Sequence, residues 1–126
     1  MKVLKIGIDI HGVIDVRPDI YGPLSHALIL SGHEVHIMTG IEYCKEVEKQ
    51  LENIYYTHYF SIVGHHKKLG TKIWYDNGLP FMDEPTWNKT KAEYAAEVGL
   101  DMIFDDSLRY GEYFKPETIY AQIRRV

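Results

Sequence analysis

Three short apolar runs, each leading into polar or small residues, constrain this chain more than any other feature. They are "VLKIGID" at residues 3–9, "VHIMTG" at 35–40 and "LDMIFDDS" at 100–107. Each is short, and the first two are rich in β-branched residues, as buried strands are. Helix-like stretches lie between them. Pro18 and Asp19 suit a first helical turn ahead of apolar Ile20, Leu24, Ala27, Leu28 and Leu30, and "SGHE" at 31–34 supplies a glycine cap. Residues 42–56 put Val47, Leu51, Ile54 and Tyr55 on one helical face. A helix follows Pro85, with Thr86 or Asn88 as its cap and Gly99 at its end.

The middle of the chain is less regular. "YFSIVG" reads as a third strand and "HHKKLG" as a helical turn, or the two form one irregular segment. Asn77-Gly78 between apolar pairs signals a tight hairpin. "TIYAQIRR" at 118–125 alternates as a final strand does. Strands alternating with helices predict a parallel sheet with helices on both faces, in one domain over residues 1–126. A chain of this length buries roughly two thirds of its unfolded surface.

Ligands of such sheets bind at the carboxyl ends of strands, beside a topological switch point. Asp9, Thr39 and the Asp105-Asp106 pair all fall at such ends. Asp9 closes an apolar strand where a charge has no packing role. Thr39 and the acid pair have plainer readings, as caps of whatever helix follows them.

Composition excludes several classes. Net charge is −4 with charges spread along the chain, so nucleic acid is not indicated as a partner. Lys67 and Lys68 beside His65 and His66 form a local basic patch, read as solvated surface. No apolar run approaches the roughly 18 residues that span a bilayer, so no membrane partner is expected. The single cysteine, Cys44, fits a reducing compartment, and a cytoplasmic location is the expectation. His33 and His36 in "HEVH" would point to opposite faces of a strand, which argues against a closed zinc site. "IGIDIHG" lacks the spacing of a glycine-rich nucleotide loop. The aromatic run "IYYTHYF" at 54–60 reads as a helix anchor or a partner surface.

Asp9 before a glycine turn, Thr39, a lysine in a late helix and the paired acids occur in an order that resembles the haloacid dehalogenase-like (HAD) superfamily. The resemblance covers residues 3 to about 107. It implies a three-layer α/β/α Rossmann-like fold with a central parallel sheet, and a phosphatase-like hydrolase working through an aspartyl-phosphate on Asp9. It further implies Mg²⁺ as cofactor, held by Asp9, the backbone carbonyl of His11 and an acid from Asp105 or Asp106. Thr39 and the Gly40 amide would bind the phosphoryl group. Lys91 would neutralise charge between nucleophile and phosphate, with Lys89, half a turn earlier, as the competing lysine.

The sequence departs from the family at His11, where phosphatases of this kind normally carry a second aspartate as general acid–base. Histidine can do acid–base work near neutrality, or can donate to a phosphate without catalysing anything. The two readings are a phosphate-ester hydrolase and a catalytically impaired module that binds a phosphorylated ligand or a protein partner. A metal-free dehalogenase is a weaker third, because the late acids are retained. The chain resembles a capless member. Residues 70–88 could form only a small flap, with Trp74, Phe81 and Trp87 as aromatic candidates near the site. An uncapped site would admit a macromolecular phosphorylated substrate, or be completed by a second subunit in a homo-oligomer.

Overall fold

The computed structural model describes residues 1–124. Five parallel strands form its central sheet: β1 (Lys5–Ile8), β2 (Glu34–Thr39), β3 (His58–Ser61), β6 (Met102–Asp105) and β7 (Ile119–Gln122). A separate antiparallel pair, β4 (Trp74–Asp76) and β5 (Leu79–Phe81), makes the expected hairpin. Asn77 and Gly78 both take positive φ at its turn, as a two-residue hairpin of this twist requires. The helices are α1 (Pro18–Leu30), α2 (Lys45–Gln50), α3 (Ile62–Leu69) and α4 (Glu84–Val98). This is an α/β architecture of Rossmann-like type. Among the described residues no helix is long and apolar enough to cross a membrane.

The strand order is β3-β2-β1-β6-β7. The chain builds outward from β1 through β2 to β3, then crosses back to place β6 on the other side of β1. The switch point is therefore the gap between the carboxyl ends of β1 and β6.

Strand periodicity divides the core in two. Ile6, Ile8, Val35 and Ile37 point to one face, where Tyr21 of α1 and Val47 of α2 cover them. Met38, Phe60 and Ile103 point to the other face, against Ala95 of α4. Gly7 also faces that second layer. A Cβ there would meet the Met38 sulfur at 2.6 Å, so the close approach of the layers requires glycine.

Several boundaries differ from the sequence reading. In α1 the fully buried residues are Tyr21, Gly22 and Ser25; of the expected apolar face Leu24 and Leu28 pack partly buried against the core, whereas Ile20, Ala27 and Leu30 are exposed. The second helix stops at Gln50, well short of residue 56. The Tyr55 amide donates to the Ser25 hydroxyl and the Thr57 amide to the Val35 carbonyl, which draws the chain out toward β3. Val47, Leu51 and Ile54 are buried as expected, but Tyr55 is exposed and stacks on His26. Residues 59–64 split at Ser61, whose hydroxyl caps α3 by accepting the Gly64 amide. Asp83 caps α4 in place of Thr86 or Asn88, accepting the Thr86 amide with Pro85 in the first turn. Residue 125 of the proposed last strand lies outside the described residues.

Candidate active site at the switch point

Asp9 and Asp105 are brought together by register and by the two-residue period of a strand. Ile8 pairs with Phe104, and the Asp9 amide donates to the Phe104 carbonyl at 3.0 Å. Asp9 thus lies across from Asp105, on the same face as Gly7 and Ile103. That face is the one α4 covers, and α4 delivers Lys91 into the gap. The Lys91 ammonium lies 2.7 Å from Asp105 Oδ2 and 3.1 Å from Asp9 Oδ1. All three side chains are buried. Lys89 is exposed, so the structure places Lys91, and not its competitor, in the cluster.

Asp106 completes the group. It is buried, and ligand oxygens of Asp9, Asp105 and Asp106 lie within 4.8 Å of one another, close enough to share one cation. Three carboxylates thus crowd around one ammonium. Burial, the largest influence, pushes the Asp9 carboxyl up to about 7 against the pull of Lys91, and the Asp105 and Asp106 charges add to the rise. Burial alone would lower the Lys91 pKa, but the Asp9 and Asp105 carboxylates outweigh it and hold the ammonium above its usual range.

The plain cap roles of the strand-tip residues do not hold. The residue capping α2 is Cys44, five residues beyond Thr39, and it makes no side-chain cap bond. The single-turn 3₁₀ helix Tyr110–Tyr113 is preceded by Arg109, which also makes no side-chain cap bond. Asp105 does accept the Ser107 amide, which fixes its second oxygen while the first takes Lys91.

The chain leaving Asp9 forms a wide turn over Ile10–Ile14, closed by Ile14 N–H to Asp9 carbonyl and Asp15 N–H to Ile10 carbonyl. It kinks at His11 and at Gly12, which has φ +82°. A Cβ at Gly12 would overlap the Asp106 carboxylate, so glycine here serves both the backbone and the acid cluster. The His11 side chain is 92% exposed and contacts Asp15 Oδ2 at 3.1 Å, while the other Asp15 oxygen accepts the Gly12 amide at 2.7 Å. His11 thus faces outward, away from the buried carboxylates. It lines a groove of 670 Å³ shared with Gly12, Asp106, Arg17, Ile123 and Arg124.

Thr39 is buried at the end of β2, next to Gly40. Trp87 packs so closely on Gly40 that a Cβ there would lie 2.8 Å from the indole ring. Its indole N–H donates to the Tyr110 hydroxyl at 2.7 Å, and the Tyr110 ring lies 5.2 Å from the Lys91 ammonium. Trp87 and Tyr110 therefore tie the Thr39-Gly40 turn to the lysine, an arrangement within reach of a cation–π contact. The sequence pattern puts Trp87 in a flap and marks neither Tyr110 nor Asp15 as a site residue. Nothing in the loop sequence "SLRYGEY" singles out Tyr110. Asp15 could have been noticed four residues beyond His11.

The hairpin does not supply aromatic groups to the groove. Trp74 and Phe81 pair across β4 and β5, are both exposed, and do not line it. Of the three flap aromatics only Trp87 reaches the cluster's surroundings. Comparison with family models, curated proteins and solved structures finds no match to this chain.

Proposed function

We propose that this chain is a HAD-like phosphate-ester hydrolase that uses Asp9 as nucleophile and Mg²⁺ as cofactor. The observation that carries the reading is the buried Lys91 ammonium held between Asp9 and Asp105, with Asp106 beside them at the switch point. An all-oxygen acid set of three carboxylates suits a hard divalent cation better than a soft one. Asp9, Asp106 and the His11 carbonyl would hold it, with Asp105 shared between the ion and Lys91. Bound there, Mg²⁺ would neutralise charge on the phosphoryl oxygens.

The chain's own groups then have distinct tasks. An Asp9 carboxylate oxygen forms a bond to phosphorus as the bond to the leaving oxygen breaks, giving an aspartyl-phosphate. Lys91 offsets the negative charge that gathers between the two anions. Thr39 and the Gly40 amide bind a phosphoryl oxygen. The His11 imidazolium gives its proton to the leaving oxygen, and the neutral ring then takes one from the water that attacks phosphorus and frees Asp9. The leaving group lies in the open groove, which would admit a macromolecular phosphate ester.

A second reading has its own observation. The outward His11 side chain, engaged by Asp15, would leave the phospho-intermediate without an acid–base partner. In that case the chain binds a phosphorylated ligand or protein partner without hydrolysing it. Aryl phosphate turnover by wild type, Asp9→Asn and His11→Asp, with and without Mg²⁺, separates the two. Hydrolysis by wild type supports the first reading, whereas an inert wild type with an active His11→Asp supports the second. Failure of every form with Mg²⁺ present counts against the hydrolase for aryl esters.

A further inference from the structure

The far end of the sheet carries a second cluster. Glu34 and His36 are two residues apart on β2 and so share a face, and the parallel register pairs His36 with His58 on β3. His36 Nε2 lies 2.8 Å from Glu34 Oε1, and His58 Nδ1 lies 3.9 Å from the same oxygen. One ligand atom from each of the three falls within 4.8 Å of the others. His33, the other histidine of "HEVH", takes no part, because its Nδ1 accepts the Leu4 amide.

We propose that Glu34, His36 and His58 form a second metal site, for a divalent ion of the zinc class. Two imidazoles and a carboxylate are the donor set that such ions take, with the remaining position open to water. His36 is the fixed ligand. Its ring is buried, and the Tyr94 hydroxyl lies 2.7 Å from Nδ1, where it orients the ring as outer-shell partners of metal-bound histidines do.

The cluster must adjust to close on an ion. Ligand atoms of a tetrahedral zinc site are roughly 3.3 Å apart, given metal–ligand bonds of about 2.0–2.1 Å. The Glu34–His36 spacing has to open and the Glu34–His58 spacing has to shrink. The His36 and His58 rings are stacked at 4.1 Å and 3°, and parallel rings cannot aim both lone pairs at one ion. His58 therefore turns out of the stack and gives up its 2.8 Å contact with the Thr57 hydroxyl. Its side chain is half exposed, so the turn meets little packing. The Lys5 ammonium opposes a cation here, but it is bonded to the Val98 carbonyl.

The test is calorimetric titration of Zn²⁺ into the full chain with Mg²⁺ in excess, using wild type, Glu34→Gln, His58→Ala and Asp9→Asn. Glu34 and His58 are partly exposed, so their variants should keep the fold. One saturable site is expected in wild type. It should weaken at least about tenfold in Glu34→Gln and His58→Ala, the low end seen for losing even a supporting residue. Asp9→Asn should leave it unchanged, and the His36 Nε2 nitrogen resonance should move on Zn²⁺ addition. The proposal is overturned by an absence of saturable binding, by wild-type affinity in Glu34→Gln or His58→Ala, or by loss of the site in Asp9→Asn.

Discussion

The Lys91 ammonium lies 3.1 Å from the Asp9 carboxylate, both buried at the strand-order switch. Removing the ammonium strands the Asp9 and Asp105 carboxylates in a site that water barely reaches. Lys91→Met should therefore cost about 3–5 kcal/mol, as breaking a buried ion pair from one side does. Urea unfolding at neutral pH measures it. A loss within error of zero would mean that the cluster ionises far less than its geometry suggests.

Asp9 also sets a pH dependence with a definite sign. Its folded pKa is raised to about 7 from an ordinary 3.8. Between those values the folded state holds a proton that the unfolded state has released, so this group's contribution to stability falls as pH rises from about 4 to 7. In metal-free protein the wild type should lose stability relative to Asp9→Asn over that interval. Mg²⁺ held by Asp9 as proposed would compete with the same proton, so its stabilising effect should grow with pH. Melting curves with Mg²⁺ and with a chelator, taken at pH 5 and pH 8, measure both effects.

Gly12 tests whether the turn after Asp9 and the acid cluster are one unit. Gly12→Ala would place a methyl group on the Asp106 carboxylate and force alanine into the left-handed region. The backbone strain alone is about 1–2 kcal/mol. Mg²⁺ affinity should fall along with stability. A variant that loses stability yet binds Mg²⁺ as wild type does would separate Asp106 from the metal set.

Gly40 tests the contact between the Thr39 turn and Trp87. Gly40→Ala pushes on the indole, and overpacking of this kind costs about 1–3 kcal/mol. Trp87 fluorescence should change as its bond to Tyr110 is disturbed. An unchanged emission spectrum would mean that the ring moves aside without losing that partner.

The sheet and the acid cluster were legible because both follow from strand periodicity. Apolar runs ending on Asp9, Thr39 and Asp105 marked three strand tips, and parallel order carried two of them to the switch point. Lys91 could not be separated from Lys89 until α4 showed which face it turns to the sheet. The outward course of His11 depends on Asp15 and on the kink at Gly12, neither of which residue spacing expresses. Tyr110 sits in an irregular loop, where no period links a residue to its neighbours in space. Asp83 displaced the expected caps of α4 because a cap is decided by local backbone angles, and three candidates lay within six residues.

The proposed hydrolase reaction requires that Asp9 become covalently phosphorylated. An acyl phosphate on its side chain can be reduced with borohydride after acid quenching, which converts the aspartate to homoserine. Mass spectrometry of peptides from protein quenched during aryl phosphate turnover locates the change. With Mg²⁺ and substrate present, homoserine should appear at position 9 and nowhere else, and Asp9→Asn should show none. Turnover with an unmodified Asp9, or homoserine at another acid, would rule out Asp9 as the nucleophile.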